Sequence, residues 1–164
     1  MKPSASVLNI LDFAILRLEF EFIPDLNNVN FKQTFDEYDL NIDFGLRISE
    51  NIQVFMKGEI NADKKLPGYS IFIEVGCVFK LDENINITNE AKDSIQGYST
   101  IYMALNVMRT YISQITANGP LGKYTLPSID LNDLIEQKRR NVNENIDDTV
   151  PQKKKKTAIK KKTV

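Results

Sequence analysis

The chain contains no histidine, so the commonest general base and the commonest metal ligand are both missing from its chemistry. Its single cysteine, Cys77, excludes an intrachain disulfide and fits a reducing compartment. Cys77 also stands in an apolar strand-like row, where a small core residue is a better reading than a nucleophile. Zinc-ligand spacing is absent. Gly45, Gly58, Gly68 and Gly76 occur singly, so none builds a phosphate-cradling loop. No apolar run approaches the roughly 18 residues of a membrane span. The first twenty residues are interrupted by Asn9, Asp12 and Arg17 and lead to no small-residue cleavage site, which argues against a signal peptide. These absences predict a soluble, cytoplasmic protein with no catalytic residue, no metal and no cofactor.

What is present is an ordinary globular composition, 42% hydrophobic in 164 residues, enough for one domain with a core of its own. The formal net charge of -1 hides an asymmetry. Residues 138–164 carry ten Lys/Arg against three Asp/Glu, a balance of +7, and the remaining 11 basic and 19 acidic residues give residues 1–137 a balance of -8. The body is therefore acidic, and the tail, ending in KKKKTAIKKKTV, is basic. The polar composition from Asn141 onward predicts a disordered tail over residues 141–164.

Between residues 14 and 81 apolar and polar residues alternate with the period of two that marks half-buried strands. Leu16, Leu18, Phe20 and Phe22 oppose Arg17, Glu19 and Glu21. Tyr38, Leu40, Ile42, Phe44, Leu46 and Ile48 oppose Asp39, Asn41, Asp43 and Arg47. Ile52, Val54, Met56 and Ile60 oppose Gln53, Lys57 and Glu59, at hairpin distance from the strand before. Tyr69, Ile71, Ile73, Val75, Cys77, Phe79 and Leu81 oppose Glu74 and Lys80. The pattern predicts a four-stranded antiparallel sheet, apolar on one face and acidic on the other. The carboxylates of that second face read as a solvated surface, since they alternate with core residues.

The period then changes. Ile101, Leu105, Met108, Ile112 and Ile115 form one helical face, with Ser99 as expected N-cap and Gly119–Pro120 as the stop. Met103, Val107 and Tyr111 form a second apolar stripe, which predicts that the helix packs against the sheet and against another subunit. A shorter helix is expected from about Ser128 to Arg140, with Leu131, Leu134 and Ile135 on one face and Lys138, Arg139 and Arg140 complementing its dipole. The connection NGPLGKYTLP between the two helices is longer and more apolar than a turn requires. The fold class is α+β: sheet, long helix, extended crossover loop, shorter helix.

In this order the residues resemble the SecB family of protein-export chaperones. Arg109, Ile112, Ser113, Ile115 and Gly119 are similar to that family's Arg-x-x-Ile-Thr/Ser run ending in glycine, and LPSIDLNDLI, Leu126 to Ile135, is similar to its Leu-x-Pro-Val-Asn-Phe-x-x-Leu-Phe segment. IFIEVGCVFKL, Ile71 to Leu81, resembles its fourth strand. The likeness covers residues 12–140, with residues 1–11 as an N-terminal segment. Thr110 stands where the family has glutamate, Pro127 falls one position early, and the usual acidic tail is lysine-rich, so the resemblance is to the wider SecB-like group.

The resemblance implies an ATP-independent holdase that binds non-native preproteins in an apolar groove and delivers them to the Sec export machinery. It also implies a homotetramer, a dimer of dimers, using Met103, Val107 and Tyr111. The groove would be lined by Leu121, Tyr124, Leu126 and Ile129 of the crossover loop, with Phe72, Val78 and Phe79 from the strands; the alternative role for that loop is a buried clamp in a dimer. On the outer sheet face Glu19 or Glu21, with Phe72 and Glu74, would dock the basic tail of the SecA motor, the alternative being solvated charge. A rival reading keeps the fold and dedicates the chaperone to the antitoxin of a toxin-antitoxin pair. A third takes Lys153 to Lys162 as a nucleic-acid or anionic-membrane contact, with no folded recognition motif behind it.

Overall fold

In the computed structural model the structure describes residues 6–24, 31–82 and 86–147. Four strands, β1 (Leu8–Ile23), β2 (Leu40–Ile48), β3 (Ile52–Ile60) and β4 (Gly68–Leu81), form one antiparallel sheet in the order β1-β4-β3-β2. β2 and β3 pair without interruption from Leu40–Ile60 to Ile48–Ile52, as their alternation requires. β1 is longer than its predicted core because its polar-interrupted first half also pairs with β4, from Leu8 opposite Leu81 onward. Two irregularities break that ladder, between Ile10 and Asp12 and between Ile15 and Arg17. Each adds a residue to β1, and the second turns Leu16 onto the outer face, over Gly76. The expected row of Leu16, Leu18, Phe20 and Phe22 is therefore broken at its first member.

One face of the sheet carries the core. Val54, Met56, Ile60, Ile71, Ile73, Val75, Cys77 and Phe79 are all 0–1% exposed. Helix α3 (Thr100–Ala117) covers them with Ile101, Ala104, Leu105, Met108 and Ile112. Gly58 lets α3 approach: a Cβ there would meet the Met108 sulfur at 2.9 Å. The burial of Cys77 pushes its thiol up to about 11, which suits packing and not nucleophilic attack.

The helix does not begin at Ser99. It is preceded without a break by α2 (Asn89–Ser94) and a π-helical turn, Ile95–Ser99, and the capping oxygen belongs to Thr88, which accepts from the Ala91 N–H at 3.2 Å. Ser99 has helical backbone angles and makes no side-chain cap bond. A further short helix, α1 (Phe31–Asp36), lies between β1 and β2, where its polar residues had no period to read.

Between β3 and β4 the turn is held by side chains. The Asp39 carboxylate accepts from the N–H groups of Ala62, Asp63 and Lys64 at 3.0–3.1 Å. Asn61, fully buried with φ 53°, bonds Leu66 through both its amide atoms and Tyr69 through its nitrogen.

Residues up to Leu131 form one compact unit, and residues from Asn132 onward a second. The second contains most of helix α4 (Leu131–Asp147), which starts later than expected and continues through residues 141–147, assigned above to the tail. Lys138, Arg139 and Arg140 thus lie inside the helix and not at its end. Within it Gln137 donates to Asp133 at 2.8 Å and Arg140 pairs with Glu136 at 3.3 Å. The Lys153 to Lys162 cluster lies outside the described residues. Among the described residues no helix is long and apolar enough to cross a membrane.

Candidate functional site

The seven residues assigned to a client groove are not brought together. Phe72 and Val78 lie on the outer face of the sheet, whereas Phe79 is fully buried on the opposite, helix-covered face. Period-two geometry dictates this separation, since Phe72 and Val78 each stand an odd number of positions from Phe79 along one strand. Leu121 and Ile129 are half-buried in the crossover loop, residues 118–130, and Tyr124 and Leu126 are core residues at 4% and 2% exposure. The Tyr124 ring stands edge-on to Phe35, centroids 5.5 Å apart, and 5.6 Å from Tyr38. Burial first, and then the neighbouring Tyr38 and Asp36, push the Tyr124 hydroxyl up to about 12.

The motif residues of the long helix turn out to hold this loop. Arg109 donates to the Pro127 carbonyl at 3.1 Å and Ser113 to the Tyr124 carbonyl at 3.4 Å. Thr116, fully buried, accepts from the Tyr124 N–H at 2.9 Å and donates to the Ile112 carbonyl at 2.7 Å. From the sheet, the Tyr69 hydroxyl accepts from the Leu121 N–H and donates to the Gly122 carbonyl, both at 2.9 Å. Gly119 is needed there because a Cβ would come within 2.5 Å of that hydroxyl. Gly122, at φ 74°, turns the chain onto its extended path. Thr116 and Tyr69 are the loop-holding residues that pattern reading missed, because a hydroxyl facing a loop carries no periodic signal.

The outer face corrects the expectation of an acidic surface. Register places Arg17, Glu74, Lys57 and Asp43 in one cross-strand row, with alternating charge. Arg17 also pairs with Glu19, Lys57 with Glu59 at 2.8 Å, and Lys65 with Glu21 at 3.2 Å. Phe72 lies in the next row, with the Arg17 guanidinium 4.6 Å and the Lys57 ammonium 5.3 Å from its ring centre. Hydrogen bonds from Lys57 and then Asn41 hold the Glu59 carboxyl below its ordinary value. Glu19, Glu21, Phe72 and Glu74 are thus neighbours on one face, but the face is charge-paired.

Exposed apolar surface concentrates on one strand. Ile10, Leu11, Phe13, Leu16, Leu18, Phe20 and Phe22, all of β1, are each 37–56% exposed. β1 lies at the edge of the sheet, and among the described strands it pairs only with β4. Its first half borders a groove of about 550 Å³, formed by Ile10 and Phe13 against Met103, Val107, Tyr111 and neighbouring polar residues of α3. The second stripe of α3, expected to be an oligomer interface, is therefore half-buried along this groove, with the Phe13 and Tyr111 rings 6.2 Å apart. The second half of β1 places Phe20 5.3 Å and Phe22 6.3 Å from the Tyr69 ring, beside the start of the crossover loop.

No family model matches the chain, and no curated protein sequence does either. Among solved structures it is similar to a SecB-like chaperone of Mycobacterium tuberculosis in complex with a ChAD peptide from an antitoxin. The TM-score is 0.50 and the identity 15%, covering 74% of this chain and 90% of that one. It is also similar to a Streptococcus agalactiae protein of unknown function, with a TM-score of 0.47 and 9% identity over 76% of this chain and 100% of that one. The first likeness, with the strand and helix order described above, shows a SecB-like α+β fold.

Proposed function

We propose that this protein is an ATP-independent chaperone that holds a non-native polypeptide segment, and that its client is a dedicated one of the antitoxin type. The observation that carries the reading is the edge strand β1, on which seven large apolar side chains are each 37–56% exposed, the kind of surface that marks an interaction site. Such surface, and no nucleotide or reacting group, is what a holdase requires. The dedicated-client reading gains support from the antitoxin peptide held by the similar chaperone. It is favoured over precursor export because the charge-paired outer face has little to offer the basic tail of SecA.

The two halves of β1 divide the work. In the first half, Ile10 and Phe13 with Met103, Val107 and Tyr111 meet a second copy and build toward a dimer of dimers. In the second half, Phe20 and Phe22, together with Leu121, engage the client as an edge strand engages an extended peptide. The complex acts in the cytoplasm.

The test is a light-scattering time course of two chemically unfolded clients, an aggregation-prone antitoxin and an outer-membrane precursor, diluted with and without the protein and without ATP. Suppression of antitoxin aggregation that is lost in Phe20→Ser/Phe22→Ser, with the oligomer retained, is expected. Suppression confined to the precursor would return the function to export, and suppression of neither would reject the chaperone.

A further inference from the structure

The crossover loop has the form of a bound extended peptide. Residues 122–130 contain neither helix nor strand, yet Tyr124 and Leu126 are buried while Lys123, Thr125 and Pro127 are exposed. Alternating burial is what an extended chain shows when one edge of it faces pockets. Its main chain is gripped by α3, through Thr116 at the Tyr124 N–H and Arg109 at the Pro127 carbonyl. Upstream, the Tyr69 hydroxyl grips the Leu121 N–H and the Gly122 carbonyl. Main-chain grips of this kind do not read sequence. The side chains the loop buries are two, Tyr124 beside the rings of Phe35 and Tyr38, and Leu126 two residues further on.

We propose that this is a peptide site for an aromatic residue followed two positions later by an aliphatic one, and that Tyr124-Thr125-Leu126 fills it from within the chain. The loop is then an internal stand-in for the client. A tethered occupant competes at an effective concentration of about millimolar order, so a short free peptide does not displace it. A longer client that also engages Phe20 and Phe22, beside the same Tyr69 ring, gains a second point of attachment and does. The proposal draws on the chaperone reading for its biological use, but the site itself is tested without it.

A labelled peptide of residues 122–130, GKYTLPSID, is titrated by fluorescence anisotropy into the full chain, wild type and Tyr124→Ser/Leu126→Ser. The variant is expected to bind at least about tenfold more tightly than wild type, and a peptide with serine at both positions is expected to bind neither. Equal binding, or none by a folded variant, overturns the proposal. Where circular dichroism shows that the variant is unfolded, Tyr69→Phe/Thr116→Val keeps both buried side chains and removes the hydroxyl grips. Peptide binding is then expected to tighten as amide exchange over residues 121–127 accelerates, and faster exchange without tighter binding overturns it. Wild-type protein that suppresses aggregation while no variant takes the peptide sinks the site and leaves the chaperone standing; the converse result does the reverse.

Discussion

Asp39 shows how one side chain sets a turn. Desolvation alone would raise its carboxyl, but the N–H groups of Asp63, Lys64, Asp39 itself and Ala62 outweigh it and hold the group below the ordinary carboxylate value. A carboxylate with a depressed folded-state value stabilises the fold above its unfolded value, about 3.9, and that contribution disappears as pH falls through the folded one. Asp39→Asn keeps an acceptor and loses the charge. It is expected to cost about 1 kcal/mol at neutral pH, the difference between charged and neutral hydrogen bonds, and to cost progressively less below about pH 4. Urea unfolding of both proteins at pH 7 and pH 3 measures this; a pH-independent difference would mean that the carboxylate is not the group that counts. Tyr69 and Thr116 act in the same way: the Tyr69 hydroxyl stands between two backbone groups of the loop, and the Thr116 hydroxyl between the Tyr124 N–H of the loop and the Ile112 carbonyl of α3.

Among the elements, the helical stretch from Asn89 to Ala117 matters most because it supports both the core and the crossover loop. Its first part has no buried residue, so its helicity rests on local terms, chiefly the Thr88 cap. Thr88→Ala is expected to destabilise by about 1 kcal/mol and to speed amide exchange over residues 89–94 while leaving residues 104–112 unchanged, as hydrogen-exchange mass spectrometry would read. Exchange that rises along the whole helix would show that the two parts unfold together. The π-helical turn at Ile95–Ser99 marks the place where the polar stretch gives way to the core-facing stripe. β1 is the opposite case, an element on which seven large apolar residues are each 37–56% exposed.

For the molecule as a whole, the uncovered apolar surface makes the proposed assembly testable. If the α3 stripe and the first half of β1 meet a second copy, a charge placed in the middle of the groove is desolvated without a partner only in the oligomer. Val107→Glu is therefore expected to reduce the oligomer by at least one step in light scattering coupled to size exclusion, with the circular dichroism of the wild type retained. An unchanged mass would place the interface elsewhere. Held at the smaller size, the protein is expected to keep client binding through Phe20 and Phe22, since these lie on the other half of the strand.

The sequence by itself determined the sheet, the long helix and the face each presents to the core, because the period of apolar and polar residues is a local property that matches the geometry of strand or helix. β3 runs over the residues its alternation marks, and Ile101, Leu105, Met108 and Ile112 are buried as their spacing demands. The resemblance in Arg109, Ser113 and Gly119 was also legible, although their work of gripping the crossover loop was not. Only the tertiary structure decided which loop residues are core and which are surface, since Tyr124 and Leu126 are buried by partners far away in the chain, Phe35 and Tyr38 among them. It likewise decided that the outer face is charge-paired. Partners such as Arg17, Glu74, Lys57 and Asp43 come from four strands, and only the register of the sheet aligns them.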